Sequence, residues 1–101
     1  MIYVFDLDGT LCDTAGRDYM LAVQRIEMIA KVNALFDAGH HIIIDSARGS
    51  VTGEPWEDRT RTQLEGWGLR FHALRTGQKF YGDVYVDDKA KRPKEFLDAT
   101  D

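Results

Sequence analysis

Three short apolar runs, IYVF at 2–5, III at 42–44 and VYV at 84–86, each break off on an aspartate. Runs of this length, rich in β-branched and aromatic residues and lacking polar alternation, predict strands covered on both faces. Between the first two, Ile26, Ile29, Val32, Asn33 and Phe36 recur at helical spacing and Gly39 follows, which predicts a helix over 21–38. Residues 7–20, marked by Gly9 and Gly16, read as a loop. A second helix is expected over 56–66, a third strand in LRFHALR, a turn at GQK and a fourth strand in DVYVDD. RPKEFLDATD reads as a short helix or a tail. Strands alternating with helices predict a parallel sheet with right-handed crossovers, and such sheets bind ligands outside the carboxyl ends of their strands.

At 101 residues the chain is expected to form a single domain, 1–101. A net charge of -4 gives no bulk reason to expect a nucleic-acid partner. The single Cys12 excludes an internal disulfide and suits a reducing compartment. No apolar run approaches the ~20 residues of a membrane span. A soluble, cytoplasmic protein without a membrane partner is the expectation.

The strand ends then carry the chemistry. Asp6 and Asp8 close the first strand, Ser46 the second with Ala47 and Arg48 beyond it, and Asp87 and Asp88 the fourth; Lys79 follows the third. Four carboxylates against one lysine and one arginine call for a cation. Hard oxygen ligands with room for water and phosphate suit Mg²⁺, so Asp6, Asp8, Asp87 and Asp88 are the candidate metal ligands. Beside a metal, Asp6 can act as a nucleophile and form an aspartyl-phosphate, while Asp8 protonates the leaving oxygen and then activates water. Ser46 and Lys79 would hold the transferring phosphoryl group, with Gly9, Thr10, Ala47 and Arg48 as substrate contacts. Arg48 has two readings, a contact to the leaving group or a cover for the rim. His40, His41 and His72 lack metal-ligand spacing and read as surface or strand residues. Nothing near Cys12 suggests a reactive thiol.

On these residues the chain resembles phosphatases of the haloacid dehalogenase superfamily. DLDGT matches that superfamily's first motif, IIIDS the second, Lys79 the third and VYVDD the fourth, in family order from residue 2 to 89. The resemblance implies a Rossmann-like three-layer α/β/α sandwich with the fourth strand beside the first. It also implies a metal held by Asp6, Asp87 and the main-chain carbonyl of Asp8. Asp8 argues for a phosphatase, since the superfamily's dehalogenases lack it and its transport ATPases carry lysine there. One helix fills most of the chain between Asp8 and Ser46, which leaves no room for a cap domain. The expected substrate is a small phosphorylated metabolite, a sugar phosphate or a nucleotide. A homo-oligomer could cover the open site, and GSVTGEPWEDR, with Gly49 and Gly53 as hinges, is a candidate lid whose Trp56 either covers the site or anchors the second helix. The alternatives are a polynucleotide 3′-phosphatase, a receiver-like phosphoacceptor domain and a non-catalytic partner subunit.

Overall fold

The computed structural model describes residues 1–80 and 82–99. The chain runs β1 (Ile2–Phe5), β2 (Cys12–Asp13), a 3-10 turn at Tyr19–Leu21, β3 (Val23–Gln24), α1 (Ile26–Asp37), β4 (His41–Ser46), α2 (Glu57–Gly66), β5 (Ala73–Thr76) and α3 (Pro93–Asp98). β4 is the middle of a parallel three-stranded sheet, with β1 on one side and β5 on the other. β2 and β3 form a separate antiparallel pair.

Both long helices end by the same device. At the end of α1, Gly39 takes a φ of 93°, its N–H donates to Phe36 O, and the next N–H, from His40, reaches Leu35 O at 3.1 Å. At the end of α2, Gly68 takes a φ of 75°, and Leu69 N–H reaches Leu64 O at 3.1 Å. A left-handed residue is needed to turn these last carbonyls onto following N–H groups, and glycine adopts it without a Cβ clash. Each turn delivers the chain to the next strand. Asn33, on the helical stripe of α1, joins the two units: its amide donates to Gly68 O at 2.9 Å and accepts from Arg70 N at 2.8 Å.

The register sets Tyr3, Phe5, Ile42, Ile44, Ser46, Leu74 and Thr76 on one face of the sheet. On that face Ile42 and Ile44 are fully buried with Leu7, Leu11, Met28, Val32 and Leu64. α3 closes the same side, where Phe96 packs edge-on against Phe5 at 5.2 Å. The opposite face carries Ile2 at 68% and Val4 at 61% exposure. β1 is therefore a one-sided edge strand, unlike the doubly covered strand its composition predicts. Among the described residues the helices cover one face, where the sequence leads one to expect two.

The fourth strand is the main departure. Residues 82–88 join no sheet, and Val84 and Val86 are 78% and 95% exposed. Instead of pairing, Tyr85 turns back locally: its hydroxyl donates to Phe80 O and accepts from Gly82 N–H. An apolar alternation makes a strand only where a partner edge and a core meet it, and neither meets this segment. The loop at 7–20 departs in the other direction, since it holds β2 and the 3-10 turn, and α1 starts at Ile26 rather than near residue 21. Among the described residues, no helix is long and apolar enough to cross a membrane.

Ile44 sits at the centre of the covered face, fully buried. Ile44→Ala should lower unfolding stability by about 2–5 kcal/mol in urea titrations. A loss below about 1 kcal/mol would mean that the site collapses around the gap and that the core is centred elsewhere.

Candidate active site

Asp6 and Asp8 follow β1, and the backbone separates them by a tight turn. Thr10 and Leu11 both donate their N–H to Leu7 O, at 3.1 and 2.8 Å, and Gly9 takes a φ of 86°. The turn sends the two carboxylates to different partners. Asp6 Oδ1 accepts from Lys79 Nζ at 3.0 Å, and its Oδ2 has a long 3.4 Å contact from Thr10 Oγ1. Asp8 is held far more tightly. Arg48 Nε and Nη2 donate to its two oxygens, both at 2.9 Å, and Thr14 Oγ1 donates to Oδ1 at 2.5 Å.

Arg48 is fully buried, so its role differs from both sequence readings. It neither faces a leaving group nor covers the rim. Its remaining nitrogen, Nη1, donates to Thr60 Oγ1 at 3.2 Å and Gln63 Oε1 at 2.7 Å, and its guanidinium lies 4.7 Å from the Tyr19 ring centroid. Gln63 in turn donates to Tyr19 O at 2.8 Å. A buried cation is tolerated when each donor finds an acceptor, and here α2 and the 3-10 turn supply what Asp8 does not. Burial pushes the Asp8 carboxyl up, but the hydrogen bonds from Arg48 and Thr14 and the charge of Arg48 outweigh it. The carboxyl lies below its ordinary value.

Ser46 is fully buried behind the rim, where its Oγ accepts the Arg48 N–H at 3.1 Å. Lys79 reaches Asp6 from the loop that Gly77 opens after β5 with a φ of 73°. Asp45, next to Ser46, is bound through both oxygens to Arg75. The expected pool of four carboxylates is thus divided: Asp6 and Asp8 each have their own cation. Asp87 and Asp88 are exposed, and Asp87 caps the Lys89 N–H at 2.8 Å. Among the described residues, no three acidic, histidine or cysteine side chains come together as a metal-binding group.

Two cavities flank these residues. One, of about 300 Å³, is lined by Asp6, Thr10 and Lys79 together with residues of the 89–96 segment. The other, of about 320 Å³, lies between Tyr19, Ala47, Gly49 and Trp56, and Asp6 does not line it. Trp56 meets Tyr19 edge-on at 4.9 Å and lies under the Arg59 guanidinium at 3.7 Å, at the start of α2. At Gly49 a Cβ would come within 2.3 Å of Glu54 O, so the close approach of the two backbone segments requires glycine there. Burial pushes the Cys12 thiol up to about 11. His72 is structural: its ring accepts the Ile42 N–H at 3.0 Å and stacks between Phe36 and His41. Thr14, Thr60 and Gln63 escape sequence reasoning, because lone hydroxyl and amide residues carry no spacing signal until the buried guanidinium is placed.

No family model matches the sequence, and no curated protein does. Among solved structures, the crystal structure of a structural-genomics target from Vibrio cholerae is similar to this chain at a TM-score of 0.84. It is 26% identical, and the match covers 98% of this chain and 89% of that one. The likeness extends over nearly the whole of both chains and concerns their fold.

The Arg48–Asp8 pair sets two expectations. Arg48→Met leaves a partly buried carboxylate without its cation and should cost about 3–5 kcal/mol, part of which Asp8→Asn should restore in the double variant. The folded carboxyl lies below the 3.8 of a free one. Its stabilising contribution is therefore complete above that value and disappears as pH falls through the folded value. Denaturation midpoints measured down through this range should fall more steeply for the wild type than for Asp8→Asn. Parallel slopes would show that Asp8 is not held ionised.

Proposed function

We propose that the chain is a phosphomonoester hydrolase that works through an aspartyl-phosphate on Asp6. The observation that carries this reading is the asymmetric setting of the Asp6 carboxylate. Lys79 holds Oδ1 at 3.0 Å, while Oδ2 has only the long Thr10 contact, beside an open cavity. An ionised oxygen not engaged by a strong donor is what an attack on phosphorus needs. In the first step Asp6 Oδ2 forms a bond to phosphorus, the bond to the leaving oxygen breaks, and that oxygen keeps the electron pair. Lys79, already beside Asp6, offsets charge on the phosphoryl oxygens. In the second step water attacks phosphorus, its proton passes to Asp8 and from there to solvent, which has protonated the departed leaving oxygen, phosphate departs and the Asp6 carboxylate is regenerated.

The two halves suit Asp8 unequally. Held ionised by Arg48 and Thr14, it has no proton to donate to a leaving group, and as a carboxylate below its ordinary value it is a weak base for water. A haloacid-dehalogenase-like three-layer fold, acting on a small phosphorylated metabolite, belongs to the same reading. Mg²⁺ is the part that the present donor set does not fit. Arg48 occupies both side-chain oxygens of Asp8, which leaves that residue only the main-chain carbonyl the resemblance implies. Asp6 offers Oδ2 alone, since Lys79 holds Oδ1, and among the described residues Asp87 and Asp88 complete no group with it. The steps above therefore use protein groups alone.

A second reading has one observation in its favour. If an ionised Asp8 activates water slowly, the aspartyl-phosphate persists and the chain is a phosphoacceptor rather than a hydrolase. Incubation with 4-nitrophenyl phosphate separates the two. Steady phosphate release, reduced about 100-fold or more by Asp6→Asn, supports the hydrolase. A single stoichiometric burst on Asp6 supports the phosphoacceptor. Undiminished turnover by Asp6→Asn removes Asp6 as the nucleophile.

A further inference from the structure

The cavity beside Asp6 has a charge pattern that the proposed reaction does not use. Two carboxylates and three lysines line it: Asp6, Asp45, Lys79, Lys89 and Lys91. Asp6 is paired with Lys79, and both oxygens of Asp45 are taken by Arg75 at 3.1 and 2.8 Å. That leaves Lys89 and Lys91. Among the described residues neither forms an ion pair, although Lys94, three residues beyond Lys91 on α3, pairs with Asp98 at 2.8 Å. The lining thus includes, on the 89–91 segment, two lysines that form no ion pair among the described residues, with Asp87 beside Lys89 in the chain.

The apolar part of the lining is Val4, Met28 and Phe96, which meet at the edge of β1. A volume of about 300 Å³ suits a small organic ligand rather than a bare ion. The phosphoryl group, placed at Asp6 Oδ2, lies at one end of this space with Lys79. Whatever is esterified to it extends along an apolar surface towards two lysines. Lys89 and Lys91 are exposed, and two ammonium groups side by side at the mouth of a cleft favour an anion there, in a way that salt screens.

We propose that this cavity is the leaving-group site, and that Lys89 and Lys91 select phosphomonoesters whose organic part carries a second anionic group, a carboxylate or a further phosphate, on a short apolar body. The proposal rests on the phosphatase reading, since Asp6 fixes where the phosphoryl end lies. It adds the class of substrate. It also gives a function to the segment after the VYV run, which joins no sheet and brings its lysines to the cavity as an irregular chain.

Two probes differing only in the distal charge test it: phenyl phosphate and 4-carboxyphenyl phosphate. The wild type should show kcat/KM about 5–10-fold higher for the carboxylated probe, and the preference should shrink as salt rises. In the Lys89→Ala/Lys91→Ala double variant the preference should fall to about 2-fold or less. Lys94→Ala, which removes a lysine that does not line the cavity, should keep the full preference. A parallel measurement uses Asp6→Asn, in which calorimetric binding of the two probes is compared without turnover. Equal kcat/KM for both probes in the wild type overturns the anion site and leaves the phosphatase reading standing. A binding preference that depends on Lys89 and Lys91, with no turnover of either probe by the wild type, overturns the phosphatase reading and leaves the anion site. A preference that survives in the double variant overturns the assignment to these lysines.

Discussion

The buried guanidinium of Arg48 joins more of this protein than any other side chain. It reaches back to the loop after β1 through Asp8, outward to α2 through Thr60 and Gln63, and under the ring of Tyr19. Its own backbone follows β4, the middle strand, and its N–H is taken by Ser46. Four segments distant in sequence therefore meet on one cation. The arrangement is demanding, because a guanidinium taken out of water is stable only when its donors are matched in direction as well as number. It holds the Asp8 side of the turn, while Asp6 is oriented by Lys79 and by the long contact from Thr10.

Two aspartates one residue apart thus acquire different characters from their surroundings. Asp8 is partly buried, doubly held and ionised, whereas Asp6 is more exposed and has one oxygen lightly engaged. The repulsion that the sequence poses, two like charges at the end of a strand, is relieved here by a separate cation for each. Gly9 turns the chain just beyond Asp8, where its positive φ lets the loop fold back so that Thr10 and Leu11 reach Leu7 O.

How much of this could be read beforehand depends on whether the signal is local. The second strand, His41–Ser46, and the helix stop at Gly39 were legible because apolar runs and a left-handed glycine act over a few residues. Asp6 and Lys79 were also legible as partners, because both lie at strand ends that a parallel sheet brings to one rim. Arg48 was not, because its environment depends on a carboxylate 40 residues away and on two polar side chains of α2. The β2–β3 pair is two residues long on each side, too short for any periodicity to show. Asn33 fits a helical stripe of apolar residues by spacing, yet its use is to clamp Gly68 and Arg70. The fate of 83–88 was out of reach for the opposite reason: its composition speaks for a strand, and only the tertiary surroundings decide whether an edge receives it.

Cys12 gives this chain a built-in reporter. Its thiol is fully buried against the Asp8 loop, with Sγ 3.7 Å from Leu7 O and 3.5 Å from Asp8 Oδ1. With its ionisation pushed up to about 11, it is almost all protonated at neutral pH and unreactive while the loop is closed. A thiol reagent can then modify it only during an excursion that lifts the loop off the core. Because the chain contains one cysteine, the labelling rate reports openings at this one site, and the part of it that does not respond to denaturant counts the local ones. The opening free energy of the segment that carries both aspartates is therefore accessible from simple chemical kinetics, separately from the stability of the whole domain.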